Sequence, residues 1–91
     1  MSTIKYRTKD GVADYAFSFE RQTGGDWRAF ILSQPSYGGR DESALITHRL
    51  AEGGRKFVCW KGRLPSESNA RAVAAEWANA TQEYIRTGRR F

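Results

Sequence analysis

The segment Ser66 to Thr87, SESNARAVAAEWANATQEYIRT, constrains the fold more than any other part of the chain. At about 100° per residue it gathers Ala70, Val73, Ala74, Trp77, Ala80, Thr81, Tyr84 and Ile85 into one arc. Arg71, Ala75, Glu76, Asn79, Gln82, Glu83 and Arg86 fall on the opposite side. An amphipathic helix over about 67–87 is therefore predicted, with a single apolar stripe that must be buried against another layer. Ser66 is placed to cap its first free N–H groups, and Glu67 lies where the positive end of the helix dipole favours an anion. Pro65 biases its preceding residue out of the α region and marks the start. Gly88 can take the left-handed conformation that stops a helix, with Arg86, Arg89 and Arg90 at the negative end of the dipole. Small alanines along the stripe suit a close, flat support such as a β-sheet.

The residues before the helix have the pattern of that sheet. From Asp14, Tyr15, Phe17 and Phe19 alternate with Ala16, Ser18 and Glu20, as in a half-buried strand over about 14–22. Thr23, Gly24 and Gly25 allow a tight reversal, and a second strand is expected over about 26–33. Gln34 to Ser43 contains Pro35, Gly38 and Gly39 and reads as a surface connection. Two further β-prone runs, about 45–50 and 55–61, flank Ala51 to Gly54 and form a second hairpin. Residues 1–13 contain few apolar groups and offer either a short edge strand or no regular element. The expected fold is one small α+β domain over residues 1–91. Its core is a four-stranded antiparallel meander, covered on one face by the carboxyl-terminal helix. That order resembles several small binding folds, double-stranded RNA-binding-like modules among them, in architecture only, and architecture does not fix function.

A chain of 91 residues has room for one core, and its three Trp, four Tyr and five Phe should dominate it. No stretch approaches the roughly 18 apolar residues of a membrane span, and MSTIKYRTKD lacks the apolar run of a secretion signal. A cytoplasmic protein without membrane contact is the expectation, and the single Cys59 agrees with a reducing compartment. One Cys and one His do not make a closed zinc site, so neither a metal nor another cofactor is expected.

The net charge of +5 is concentrated. Residues 45–91 hold nine basic and four acidic side chains, whereas the first 44 hold six of each. Arg49, Arg55, Lys56, Lys61 and Arg63 cluster on the second hairpin, and Arg86, Arg89 and Arg90 at the helix end. With Phe57 and Trp60 nearby, the first patch combines phosphate neutralisation with rings for stacking, as single-stranded nucleic-acid sites do. These eight cations are the candidate contacts to nucleic acid or an acidic protein. The plainer reading is that they are solvated charges guarding a sheet edge, with Phe57 and Trp60 in the core. A non-enzymatic binding module is the leading expectation. The alternative is a protein-interaction or self-association module in which a sheet edge pairs with another chain.

Other chemistry is weakly marked. One register of the second hairpin sets His48 opposite Cys59, but a thiol–imidazole nucleophile also needs a pocket, an orienting acceptor and an oxyanion site. Ser36 to Arg40 could cradle a phosphate, yet the two glycines lie outside a strand-to-helix turn. Asp41 with Glu42, and Asp10 with Asp14, read as solvated surface carboxylates.

Overall fold

The computed structural model describes residues 2–91 and shows a five-stranded antiparallel sheet with one long carboxyl-terminal helix. The strands are β1 (Ser2–Arg7), β2 (Asp14–Arg21), β3 (Trp27–Ser33), β4 (Arg49–Glu52) and β5 (Arg55–Val58). A single-turn helix α1 (Ala44–Thr47) precedes β4, and α2 spans Glu67–Thr87. Both ends of α2 follow the sequence signals. Ser66 Oγ accepts from the Asn69 N–H at 3.1 Å, and Gly88, with φ 81°, donates its N–H to the Tyr84 carbonyl at 2.7 Å.

The stripe of α2 lies on one side of the sheet. Ala70, Val73, Ala74, Trp77 and Ala78 share a core with Tyr15, Phe17, Phe19, Ala29 and Val58, and Ile4, Tyr6, Trp27 and Ile31 pack at its margin. The Trp77 ring stands edge-on to Tyr15 and Phe17, with centroids 5.9 and 6.1 Å away. Gln82, assigned to the solvent side from helical spacing, is buried and accepts from the Tyr15 hydroxyl at 3.4 Å. Burial of that phenol pushes its pKa up.

Two features of the expected meander are corrected. The sheet has five strands in the order β1-β2-β3-β5-β4, so β5, not β4, lies beside β3. Residue chemistry explains the order. β5 carries the buried pair Phe57 and Val58, which an interior strand can cover on both faces, whereas β4 is exposed through Leu50, Ala51 and Glu52 and takes the edge. Gly53 and Gly54, with φ of 60° and 78°, make the two-residue loop between them, with Glu52 directly opposite Arg55.

The second correction concerns residues 45–50, which are not one strand. Ala44–Thr47 forms a helical turn, β4 begins at Arg49, and β5 ends at Val58 instead of reaching residue 61. The β-prone Leu45, Ile46 and Thr47 are overridden by tertiary contact. Thr47 is fully buried, its hydroxyl donates to the Ser43 carbonyl at 2.9 Å, and its own carbonyl accepts the Trp77 indole N–H at 2.9 Å. His48 then turns the chain into β4 with φ 54°, the one positive φ outside glycine among the described residues.

On the helix-free side, one register row runs Thr3, Ser18, Phe30, Phe57, Leu50 across all five strands. Phe30 and Phe57 meet edge to face at 5.8 Å, at the single register pair joining β3 to β5 among the described residues.

Candidate functional site

The eight basic residues singled out from the sequence divide into two groups. Arg49, the first residue of β4, has its side chain 10% exposed, donating to Gln34 Oε1 at 2.9 Å and reaching Glu42 at 3.5 Å. Its guanidinium also lies 5.0 Å from the centre of the Tyr37 ring. Arg55 stacks 3.7 Å over Phe30 and binds both carboxylate oxygens of Glu20. Arg63 pairs with Asp26 at 3.2 Å, and Arg86 with Glu83. Lys56, Lys61, Arg89 and Arg90 have no ion-pair partner among the described residues.

The aromatics also divide. Phe57 is buried on the helix-free face with Arg28 at 4.1 Å over its ring, so its face is already covered. Arg28 is in turn held by Glu52 at 3.0 Å, so the Phe30–Phe57 pair is closed by two arginines and two glutamates. Trp60 remains 43% exposed. The ion pair at Glu20 has a pH signature. The Arg55 guanidinium holds the Glu20 carboxyl below its ordinary value of 4.5, so its contribution to stability is complete above that pH and is lost as pH falls through the lower folded-state value. The stability advantage of the native chain over Glu20→Gln, read from urea midpoints, is expected at about pH 7 and should shrink towards about pH 3. An equal gap at both would show that the pair is not ionised in the fold.

A concavity of about 490 Å³ lies where the chain leaves β5, beside α2 and Phe91. Three mutually distant parts of the sequence meet there. The stretch after β5 supplies Cys59, Trp60 and Lys61, α2 supplies Glu76, Trp77 and Ala80, and Phe91 closes one side. His48 holds Phe91 in place. Its Nε2 lies 2.7 Å from the Phe91 main-chain carbonyl oxygen, to which it donates, and the two rings are 5.0 Å apart. Phe91, like Trp60, is 43% exposed. The two basic patches that the sequence shows as separate therefore approach through their ends. Lys61 lines the cleft, and the exposed Arg89 and Arg90 immediately precede Phe91. Lys56, Arg49 and Arg55 lie instead along a second concavity between β3 and the start of β5.

His48 and Cys59 are paired in the backbone, the Cys59 N–H donating to the His48 carbonyl at 2.8 Å, and both line the cleft. The imidazole, however, is engaged with Phe91. In the Ser36 to Arg40 loop, Tyr37 is buried against Tyr84, and Arg40 Nε points at the Ile85 carbonyl at 3.4 Å, so its cation serves the end of α2. Asp41 and Asp10 accept backbone N–H groups of Ser43 and Val12, and Glu42 and Asp14 pair with Arg49 and Arg7. The Ser43 contacts hold the Asp41 carboxyl below its ordinary value, with Arg90 contributing.

Among the described residues, no helix is long and apolar enough to cross a membrane, and no group of three or more His, Cys, Asp or Glu side chains could hold a metal ion. Glu76, His48 and Phe91 are the cleft residues that the sequence did not join to the basic patches. The nearest signal was the position of Glu76 directly beside Trp77, at the edge of the apolar stripe. Compared with protein-family models, curated proteins and solved structures, the chain matches none.

Proposed function

We propose that this chain is a non-enzymatic binding module for single-stranded nucleic acid, with the cleft beside Trp60 as its contact surface. One observation carries the reading: two half-exposed aromatic rings, Trp60 and Phe91, line a single cleft together with the unpaired Lys61. Arg89 and Arg90 lie next along the chain. Bases stacking on such rings gain energy whatever their sequence, while nearby cations neutralise the phosphates. A duplex suits the surface less well, because its bases are already stacked and the exposed side of α2 carries Glu76 and Glu83.

Of the eight cations considered, Lys61, Arg89 and Arg90 are the ones assigned to the phosphates. The four ion-paired arginines would first have to give up Glu42, Glu20, Asp26 and Glu83. Three phosphate contacts on a single strand predict a slope of log K against log salt of about −2, which is about a twenty-fold loss of affinity between about 50 and 200 mM salt. Fluorescence anisotropy with labelled DNA and RNA oligonucleotides measures it. Lys61→Ala should flatten the slope by about 0.7, and Trp60→Ala should cost about 1–3 kcal/mol with little change of slope. Absence of association at low salt with either single strand would remove this reading.

The competing reading, association of copies through a sheet edge, has less support. The outer strand β4 is four residues long, and the other edge, β1, presents Lys5 and Arg7, features that discourage edge pairing. A mass that rises with concentration in light scattering would favour it.

A further inference from the structure

We infer that the cleft receives one unstacked guanine base whose donor edge is read by Glu76, an inference that rests on the single-stranded nucleic-acid reading above. At about 490 Å³ the cleft falls within the range of about 300–1,000 Å³ in which proteins hold small ligands, and its walls have the usual composition of such sites. Trp60, Trp77 and Phe91 present ring carbons, and Val58 and Ala80 add aliphatic surface. A flat, apolar-faced group is what these walls accommodate.

The polar groups narrow the choice. The Trp77 indole N–H is already committed to the Thr47 carbonyl, and His48 Nε2 to the Phe91 carbonyl. Two charged side chains remain uncommitted, Lys61 and Glu76, and neither has an ion-pair or side-chain hydrogen-bond partner among the described residues, including each other. Lys61 suits a phosphate. A carboxylate beside a polyanion is repulsive unless it faces neutral donors, because an ionised carboxylate can only accept hydrogen bonds. Its two oxygens are best satisfied by two parallel N–H groups. Guanine presents two adjacent donors, N1–H and the N2 amino group, on its Watson–Crick edge. Cytosine and adenine present one amino group there, and thymine and uracil a single ring N–H. Single-stranded recognition commonly reads this edge while the base stacks on an aromatic side chain.

The test compares oligothymidylate with the same oligonucleotide carrying one central guanine, adenine, cytosine or hypoxanthine, the last keeping N1–H but lacking the 2-amino group. Guanine is expected to bind about 5- to 150-fold more tightly than thymine, the range that one good two-point contact to a base gives, with hypoxanthine, which like thymine offers a single ring N–H, close to thymine. Glu76→Gln alters an exposed, unpaired side chain and should leave the fold intact by circular dichroism. It should abolish the guanine preference while leaving binding of oligothymidylate unchanged or tighter, since a negative charge has been removed. Those opposite effects cannot arise from general damage to the site. Equal affinity for guanine and thymine, or a guanine preference that survives Glu76→Gln, would overturn the inference and leave nucleic-acid binding standing. No binding to any oligonucleotide would overturn both.

Discussion

Replacing Trp77 with alanine should destabilise the protein by about 3–5 kcal/mol, the usual cost of emptying a large aromatic site in a packed core. A chain of this length has a total stability of roughly 5–14 kcal/mol, so the loss takes a large part of it. The indole is 4% exposed, stands edge-on to both Tyr15 and Phe17, and sends its N–H to the Thr47 carbonyl. It therefore links three elements, α2, β2 and the α1 turn. Its removal leaves a cavity, two aromatic faces without a partner and a buried carbonyl without a donor. Trp77→Phe separates these effects. It keeps most of the ring contact but orphans the Thr47 carbonyl, at a cost of about 1–3 kcal/mol. Amide exchange in Ala44–Thr47 should accelerate in both variants, since the hydrogen bond that ties that turn to α2 is gone from both. A urea midpoint for Trp77→Ala close to that of the native chain would mean that the helix does not depend on this contact.

The contribution of Trp77 was legible in the sequence because helical periodicity is a local property, and the apolar stripe from Ala70 to Tyr84 states which side is buried. The boundaries of α2 were legible for the same reason, through Ser66 and Gly88. Strand order was not. The spacing of Gly24–Gly25 and Gly53–Gly54 locates reversals, but it says nothing about which arm of the second hairpin meets β3. That choice depends on Phe30 and Phe57 finding each other across 26 intervening positions. The turn at Ala44–Thr47 was hidden too, because its residues favour a strand and the distant Trp77 indole reinforces the local bonds to Ser43 that hold them otherwise.

The candidate site shows the same division between local and distant information. Trp60 and Lys61 lie two and three residues beyond Val58, the last residue of β5, and could be read as a basic aromatic cluster. Their association with Glu76, His48 and Phe91 depends on how the chain leaves the sheet. Leu64 sends that segment back to β3, its carbonyl accepting the Trp27 N–H at 2.8 Å, and so opens the cleft against α2. Charge counting also could not distinguish free cations from occupied ones. Arg55 and Lys56 are adjacent in sequence, yet one is locked to Glu20 and Phe30 while the other has no ion-pair partner among the described residues.

Phe57→Ala should produce the second large loss, about 3–5 kcal/mol by the same cavity argument, but with a different distribution through the molecule. Phe57 is 8% exposed and lies at the only residue pair that joins β3 to β5 in the described ladder. Its ring meets Phe30 edge to face and lies under Arg28, so truncation removes the side-chain contact that reinforces a sparse backbone connection. The β1–β2–β3 portion keeps its ladder and its core with α2, whereas β4 and β5 keep chiefly their own hairpin and the Val58 contact. A two-stranded hairpin alone is marginal in water. Hydrogen exchange should therefore rise first in Arg49–Val58, with Asp14–Ser33 holding its protection until global unfolding. Arg28→Ala separates the cation from the ring. If Arg28 stabilises mainly by lying over Phe57, a double-mutant cycle should give a coupling of about 0.5–2 kcal/mol, most of the effect of Arg28→Ala vanishing once the ring is absent. Uniform loss of protection across all five strands would show that the sheet unfolds as one unit, and that the Phe30–Phe57 seam is no weaker than its neighbours.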